Sequence, residues 1–137
     1  MAEPAQTPAW NATRFFDLLQ DLGPLRVISV CGPSVFEAIC EAGDYEVQGG
    51  SINMITPVYH WHFAYGRFAY LRSHDTIHKR SGRQVFFFEL REEGEESPFL
   101  RIYLYRPPGE QFSAVAVDHF QRAHAELGDG VSLSPGV

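Results

Sequence analysis

"RQVFFFELREEGEESPFLRIYLYR", residues 83–106, is the stretch whose reading decides the fold. Three consecutive phenylalanines, Phe86, Phe87 and Phe88, make the first half apolar on both faces, as a strand is when it lies centrally in a sheet. "EEGEES" is acidic, contains a glycine and interrupts the apolar run, which reads as a hairpin turn. "PFLRIYLYR" is then the partner strand, and Pro107-Pro108-Gly109 ends the pair.

Downstream the spacing predicts a helix. Ser113 is the expected N-cap, Phe112 and Val117 stand at the two positions of a hydrophobic staple, and Val117, Phe120, His124 and Leu127 form the buried stripe up to Gly128. The tail "DGVSLSPGV" is expected to fray. At the other end, Phe15, Leu18, Leu19 and Leu22 recur at helical spacing before Gly23-Pro24, with Thr7-Pro8 or Asn11 as rival starts. Between the helices lie "LRVISV" and "SINMIT", both short strands, and "SVFEAICEAGDYEVQG", which fits an extended pair or a short helix. "YHWHFAY" and "RFAYLRS" are strands, and "HDTIHKRSG" reads as a polar loop. Helix, about six antiparallel strands, helix: the order describes an α+β fold with helices over one face of a meandering sheet.

The chain has 137 residues, enough for one domain with one core, expected to be ordered over about residues 8–128. A net charge of −6 provides no global basic footprint for nucleic acid, and no apolar run reaches the roughly 20 residues of a spanning helix. "MAEPAQTPAW" lacks the basic and apolar regions of a signal peptide, so a cytoplasmic location is expected and Cys31 and Cys40 read as reduced thiols. Neither a nucleophile elbow nor a phosphate-cradling glycine loop is present, which argues against an enzyme.

"YHWHFAY" carries the candidate site. In a strand, His60, His62 and Ala64 share one face, and Tyr59, Trp61, Phe63 and Tyr65 share the other. The aromatic set belongs under the helices, which leaves the histidines on the open face, roughly 6.5–7 Å apart by strand rise. Three readings stay open: plain surface histidines, a metal site begun by His-x-His, and an axial ligand for haem iron. The metal pattern wants a carboxylate a few residues on, where this chain has Ala64, Tyr65, Gly66 and Arg67. His124 reads as a hydrogen-bonded core histidine. Arg72, Lys79, Arg80 and Arg83 place four of the eleven basic side chains within twelve residues of an acidic protein, a local patch suited to carboxylates or phosphates.

In order and spacing the chain resembles the bacterial haem-utilisation proteins of the HemS and HutX/ChuX type. The resemblance runs through "LGPLRVISVCGPSVFEAICEAGDYEVQGGSINMI", "YHWHFAYGRFAYLRS" and "GRQVFFFELREEGEESPFLRIYLYRPPGEQFSAVAVDHFQRAHAEL". It implies a large curved antiparallel sheet flanked by helices, in a single-repeat member that pairs as a homodimer. It also implies haem as the ligand, for carriage, storage or utilisation in the cytoplasm, with haem degradation a lesser possibility. His62, with His60 second, is similar to the family's strand histidine, and Arg72, Lys79, Arg80 and Arg83 would face the propionates. The alternative is a relative without haem chemistry, a dimeric small-ligand or interaction module.

Overall fold

The computed structural model describes residues 9–134, and the Thr7-Pro8 start lies outside them. Helix α1 (Ala12–Gln20) begins at Asn11, whose side-chain oxygen accepts from the Arg14 amide at 2.9 Å. Nine strands follow among the described residues: β1 (Pro24–Cys31), β2 (Ser34–Glu41), β3 (Tyr45–Gln48), β4 (Ser51–Ile55), β5 (His60–Ala64), β6 (Tyr70–Ile77), β7 (Gln84–Arg91), β8 (Leu100–Leu104) and β9 (Val131–Ser132). Helix α2 (Ala114–Leu127) lies between β8 and β9, with Ser113 as N-cap and Gly128 at its end.

The strands form two antiparallel sheets, one of six ordered β2-β1-β8-β7-β6-β9 and one of three ordered β3-β4-β5. The fold is α+β, as expected, but with more strands than the six anticipated. "SVFEAICEAGDYEVQG" resolves to the extended alternative as β2 and β3. The loop expected from His74 is shorter: β6 continues to Ile77, paired residue by residue with β7. The described part of the tail is paired, Leu71 with Val131 and Tyr70 with Ser132, and residues 135–137 lie outside the described residues. Gly130 permits this close approach. Its φ is +114°, and a Cβ there would fall 2.2 Å from the Tyr70 hydroxyl. Cys31 pairs with Ser34 and Cys40 with Leu25, at opposite ends of the β1–β2 hairpin, and both thiols are free.

Both helices pack on the same face of the large sheet. Phe15 of α1 meets Phe88 edge-on at 5.3 Å, and Phe120 of α2 lies 4.9 Å from Phe88 and 5.3 Å from Phe86. Phe16 reaches the small sheet, with ring centres 5.4 Å from Trp61 and 5.2 Å from Phe63. Phe15, Phe16, Phe88 and Phe120 are fully buried, so a continuous aromatic core joins the helices to both sheets. The opposite face of the large sheet carries Phe87, Tyr103, Ile28 and Ile39, and Ile39 is 53% exposed. No helix among the described residues is long and apolar enough to cross a membrane.

Candidate functional site

Strand alternation places the residues of β5 as the sequence implies. Phe63 is buried and Trp61 half-buried beneath α1, while His60 and His62 are exposed on the other face. Their ring centres are 6.3 Å apart. His62 stands opposite Asn53 of β4, and its Nδ1 lies 2.7 Å from the Asn53 side-chain oxygen. An amide oxygen accepts, so the ring proton sits on Nδ1 and the Nε2 lone pair is left for a ligand. Metal-binding histidines are commonly held in this way by a neighbouring carbonyl.

His62 borders two open clefts. One, of about 240 Å³, is lined with Trp61, Phe63, Phe99, Leu100 and Arg67, the last ion-paired with Glu92 at 2.6 Å. The other, of about 580 Å³, is bounded by Asp44, Tyr45, Glu46, Asn53 and Ile55. Tyr45 holds its proton strongly there, pushed up to about 12 by burial and by donating to the Asp17 carboxylate. Among the described residues, no three histidine, cysteine or acidic side chains converge as a metal cage.

The expected basic residues stand apart from this face. Arg72 lies on β6 opposite Glu89, Lys79 and Arg80 occupy the β6–β7 turn, and Arg83 closes that turn. None of the four lines either cleft beside His62, where the cation present is Arg67.

A second constellation is not legible in the sequence, where the polarity of "HDTIHKRSG" reads His74 as part of a loop. In β6 it lies on the helix-free face of the large sheet, in register with Phe87, which is in register with Tyr103. The three rings stack: His74 on Phe87 at 4.4 Å and 15°, Phe87 on Tyr103 at 4.6 Å and 24°. His74 Nε2 is 2.9 Å from the Glu89 carboxylate, and Arg91 reaches the same oxygen at 3.2 Å. Burial raises the Glu89 pKa, but the hydrogen bond from His74 and the charges of His74 and Arg91 outweigh it, so the carboxyl ends below its ordinary range. Burial pushes the Tyr103 hydroxyl up. The signal that could have found this group is the alternation of Leu71 and Ser73 with Arg72 and His74, which continues the strand past Ser73. His124 is half-buried with its Nδ1 2.7 Å from the Ser73 hydroxyl, the hydrogen-bonded core histidine that was expected.

No family model matches the chain, and no curated protein matches it in sequence. Solved structures do match in fold. The chain superposes on the heme-binding protein ChuX with a TM-score of 0.71 and 17% identity, over 85% of this chain and 72% of that one. Holo-PhuS, a heme-binding protein of Pseudomonas aeruginosa, matches with a TM-score of 0.65 and 15% identity, over 79% of this chain. The heme-degrading enzyme ChuS of Escherichia coli O157:H7 matches with a TM-score of 0.63 and 18% identity, over 80% of this chain. The chain spans about a third of each of these last two, 31% of PhuS and 32% of ChuS.

Proposed function

We propose, from the premise that this chain has the fold of ChuX, that it binds haem, with His62 as the axial ligand. The carrying observation is the His62 imidazole, exposed on a strand face, with Nδ1 committed to Asn53 and Nε2 open. Trp61 and Phe99, both half-buried, line the cleft beside it, and Arg67, ion-paired with Glu92, would have to exchange that partner to meet a propionate. His60 is the second-choice ligand, a ring away on the same face. Bound haem would supply an iron centre for transport or redox chemistry. The chain's part is to hold the ligand imidazole in one tautomer and to cover one side of the macrocycle.

The cleft beside Trp61 is smaller than the roughly 300–1,000 Å³ of enclosed small-molecule sites, so one chain does not surround a porphyrin there. A second copy would provide the missing wall. The edge strand β2 exposes Val35 and Ile39 on one face and Phe36 on the other, at 61%, 53% and 69%, an apolar edge that a homodimer would cover. Cytoplasmic carriage, storage or utilisation is the role that fits a chain without a recognisable catalytic set.

A second reading is supported by the ring ladder. His74, Phe87 and Tyr103 present a stacked aromatic platform on the helix-free face, and Arg72 lies two residues from His74 on the same side of β6. A planar porphyrin could lie over that ladder, with His74 ligating through Nδ1, since its Nε2 is held by Glu89, and with Arg72 and the nearby basic turn toward its carboxylates. Hemin titration followed by absorbance separates the two. A saturable Soret shift lost in His62→Ala and kept in His74→Ala supports the first reading, and the reverse supports the second. Absence of a saturable shift in the unaltered protein would leave the alternative, a small-ligand or interaction module without haem.

A further inference from the structure

Three arginines far apart in sequence meet at one end of the large sheet. Arg26 comes from β1, Arg83 from the end of the β6–β7 turn and Arg106 from the segment after β8. They line two adjoining open clefts of about 380 and 470 Å³, which also share Tyr105. Both volumes fall in the range of small-molecule sites, roughly 300–1,000 Å³. The chain carries 17 acidic residues against 11 basic ones, so cations should find carboxylates easily. Arg14, Arg67, Arg91 and Arg122 do form ion pairs. Among the described residues Arg26, Arg83 and Arg106 form none, although Glu37 and Glu110 border the same clefts.

The guanidinium groups of Arg26 and Arg106 are held by aromatic and backbone contact, not by carboxylates. Arg26 lies 5.7 Å from the ring centre of Tyr105, and Arg106 lies 4.9 Å from that of Phe112. Arg106 also donates to the Glu110 carbonyl oxygen at 3.4 Å, and the Arg83 carbonyl accepts from the His78 amide at 2.8 Å, which anchors the turn. Like charges that share a cleft without forming ion pairs repel one another, and a bound oxyanion would relieve that repulsion. The planar guanidinium matches oxyanions in geometry as well as charge.

We infer that the cleft between Arg26, Arg83 and Arg106 is a binding site for a small oxyanion, a phosphate or carboxylate group. The anion is either free or the acidic arm of a larger ligand. The site stands without the assignment of His62 as haem ligand, since His62 lines neither cleft and the site is defined by its own residues.

The test is a two-dimensional NMR titration of the full-length 15N-labelled protein with inorganic pyrophosphate, against sodium chloride of matched ionic strength. Saturable shifts at the amides of Arg26, Arg83, Arg106 and Gln111, weakened at least tenfold in Arg83→Gln and in Arg106→Gln, are expected. Shifts reproduced by chloride, or affinity unchanged in both variants, would overturn the site. Arg106→Lys, which keeps the charge, should retain part of the affinity and excludes a folding defect as the cause of loss. A second arm repeats the titration on protein loaded with hemin. Competition identifies the occupant as a haem carboxylate, and undiminished pyrophosphate binding identifies a free anion. His62→Ala should leave pyrophosphate binding unchanged, so failure of the haem assignment and failure of this site are read separately.

Discussion

His62 and His74 each have one ring nitrogen committed to an oxygen, and the nature of that oxygen separates them. His62 gives Nδ1 to a neutral amide and is exposed; His74 gives Nε2 to a buried carboxylate shared with Arg91. Under the first haem reading, Asn53→Ala should weaken hemin binding about 10- to 100-fold, because the imidazole loses its fixed tautomer. An unchanged hemin affinity in that variant would remove Asn53 from the site. Glu89 calls for a different measurement. Its carboxyl sits below the ordinary 4.5, so the folded protein binds that proton more weakly than the unfolded chain does. The stabilisation is complete above about 4.5 and is lost as pH falls through the lower folded value. Glu89→Gln should therefore cost on the order of 1–3 kcal/mol at pH 7 and flatten the acid limb of stability, as denaturant melts across pH would show. An acid limb identical to the parent's would mean Glu89 is not the group responsible.

At the scale of elements, local signals account for most boundaries. Asn11 caps α1, and Asn11→Ala should lower stability by about 1 kcal/mol without changing the fold. Phe120 joins α2 to Phe86 and Phe88, so Phe120→Ala should cost roughly 3–5 kcal/mol in a chemical melt. The edge strand β9 depends on a glycine that admits the Tyr70 ring. Gly130→Ala should displace it and speed hydrogen exchange of the Leu133 amide, which donates to the Ala69 carbonyl, while the β7 amides stay protected. Where the sequence reading failed at this scale, the cause was polarity. "HDTIHKRSG" has few apolar residues, yet its first four pair with β7, because a neighbouring strand satisfies their backbone groups whatever their side chains.

At the scale of the molecule, the two sheets present different surfaces. The small sheet offers His60 and His62, and the large sheet offers a ring ladder, an apolar edge and an arginine cleft. If a homodimer forms over β2, Phe36→Glu with Ile39→Glu should halve the mass measured by light scattering and leave the monomer's melt nearly unchanged, since both side chains are exposed. A parent protein that is monomeric at micromolar concentration would remove that interface, and another wall for the haem would then be needed.

What the sequence determined by itself was periodic and local. It specified the two helices and the end of the second, the central strand with three phenylalanines, and the assignment of Trp61 inward and His62 outward. Each of these depends only on residues a few positions apart, through helix and strand geometry. The tertiary structure alone decided which strands are neighbours. Inserting β1 between β2 and β8 sets Arg26 beside Tyr103, and the β7 register continues that row through Phe87 to His74. Arg26, Arg83 and Arg106 meet for the same reason. Contacts between residues tens of positions apart follow from how the sheet closes its hydrogen bonds over one aromatic core, and local periodicity carries no record of that pairing.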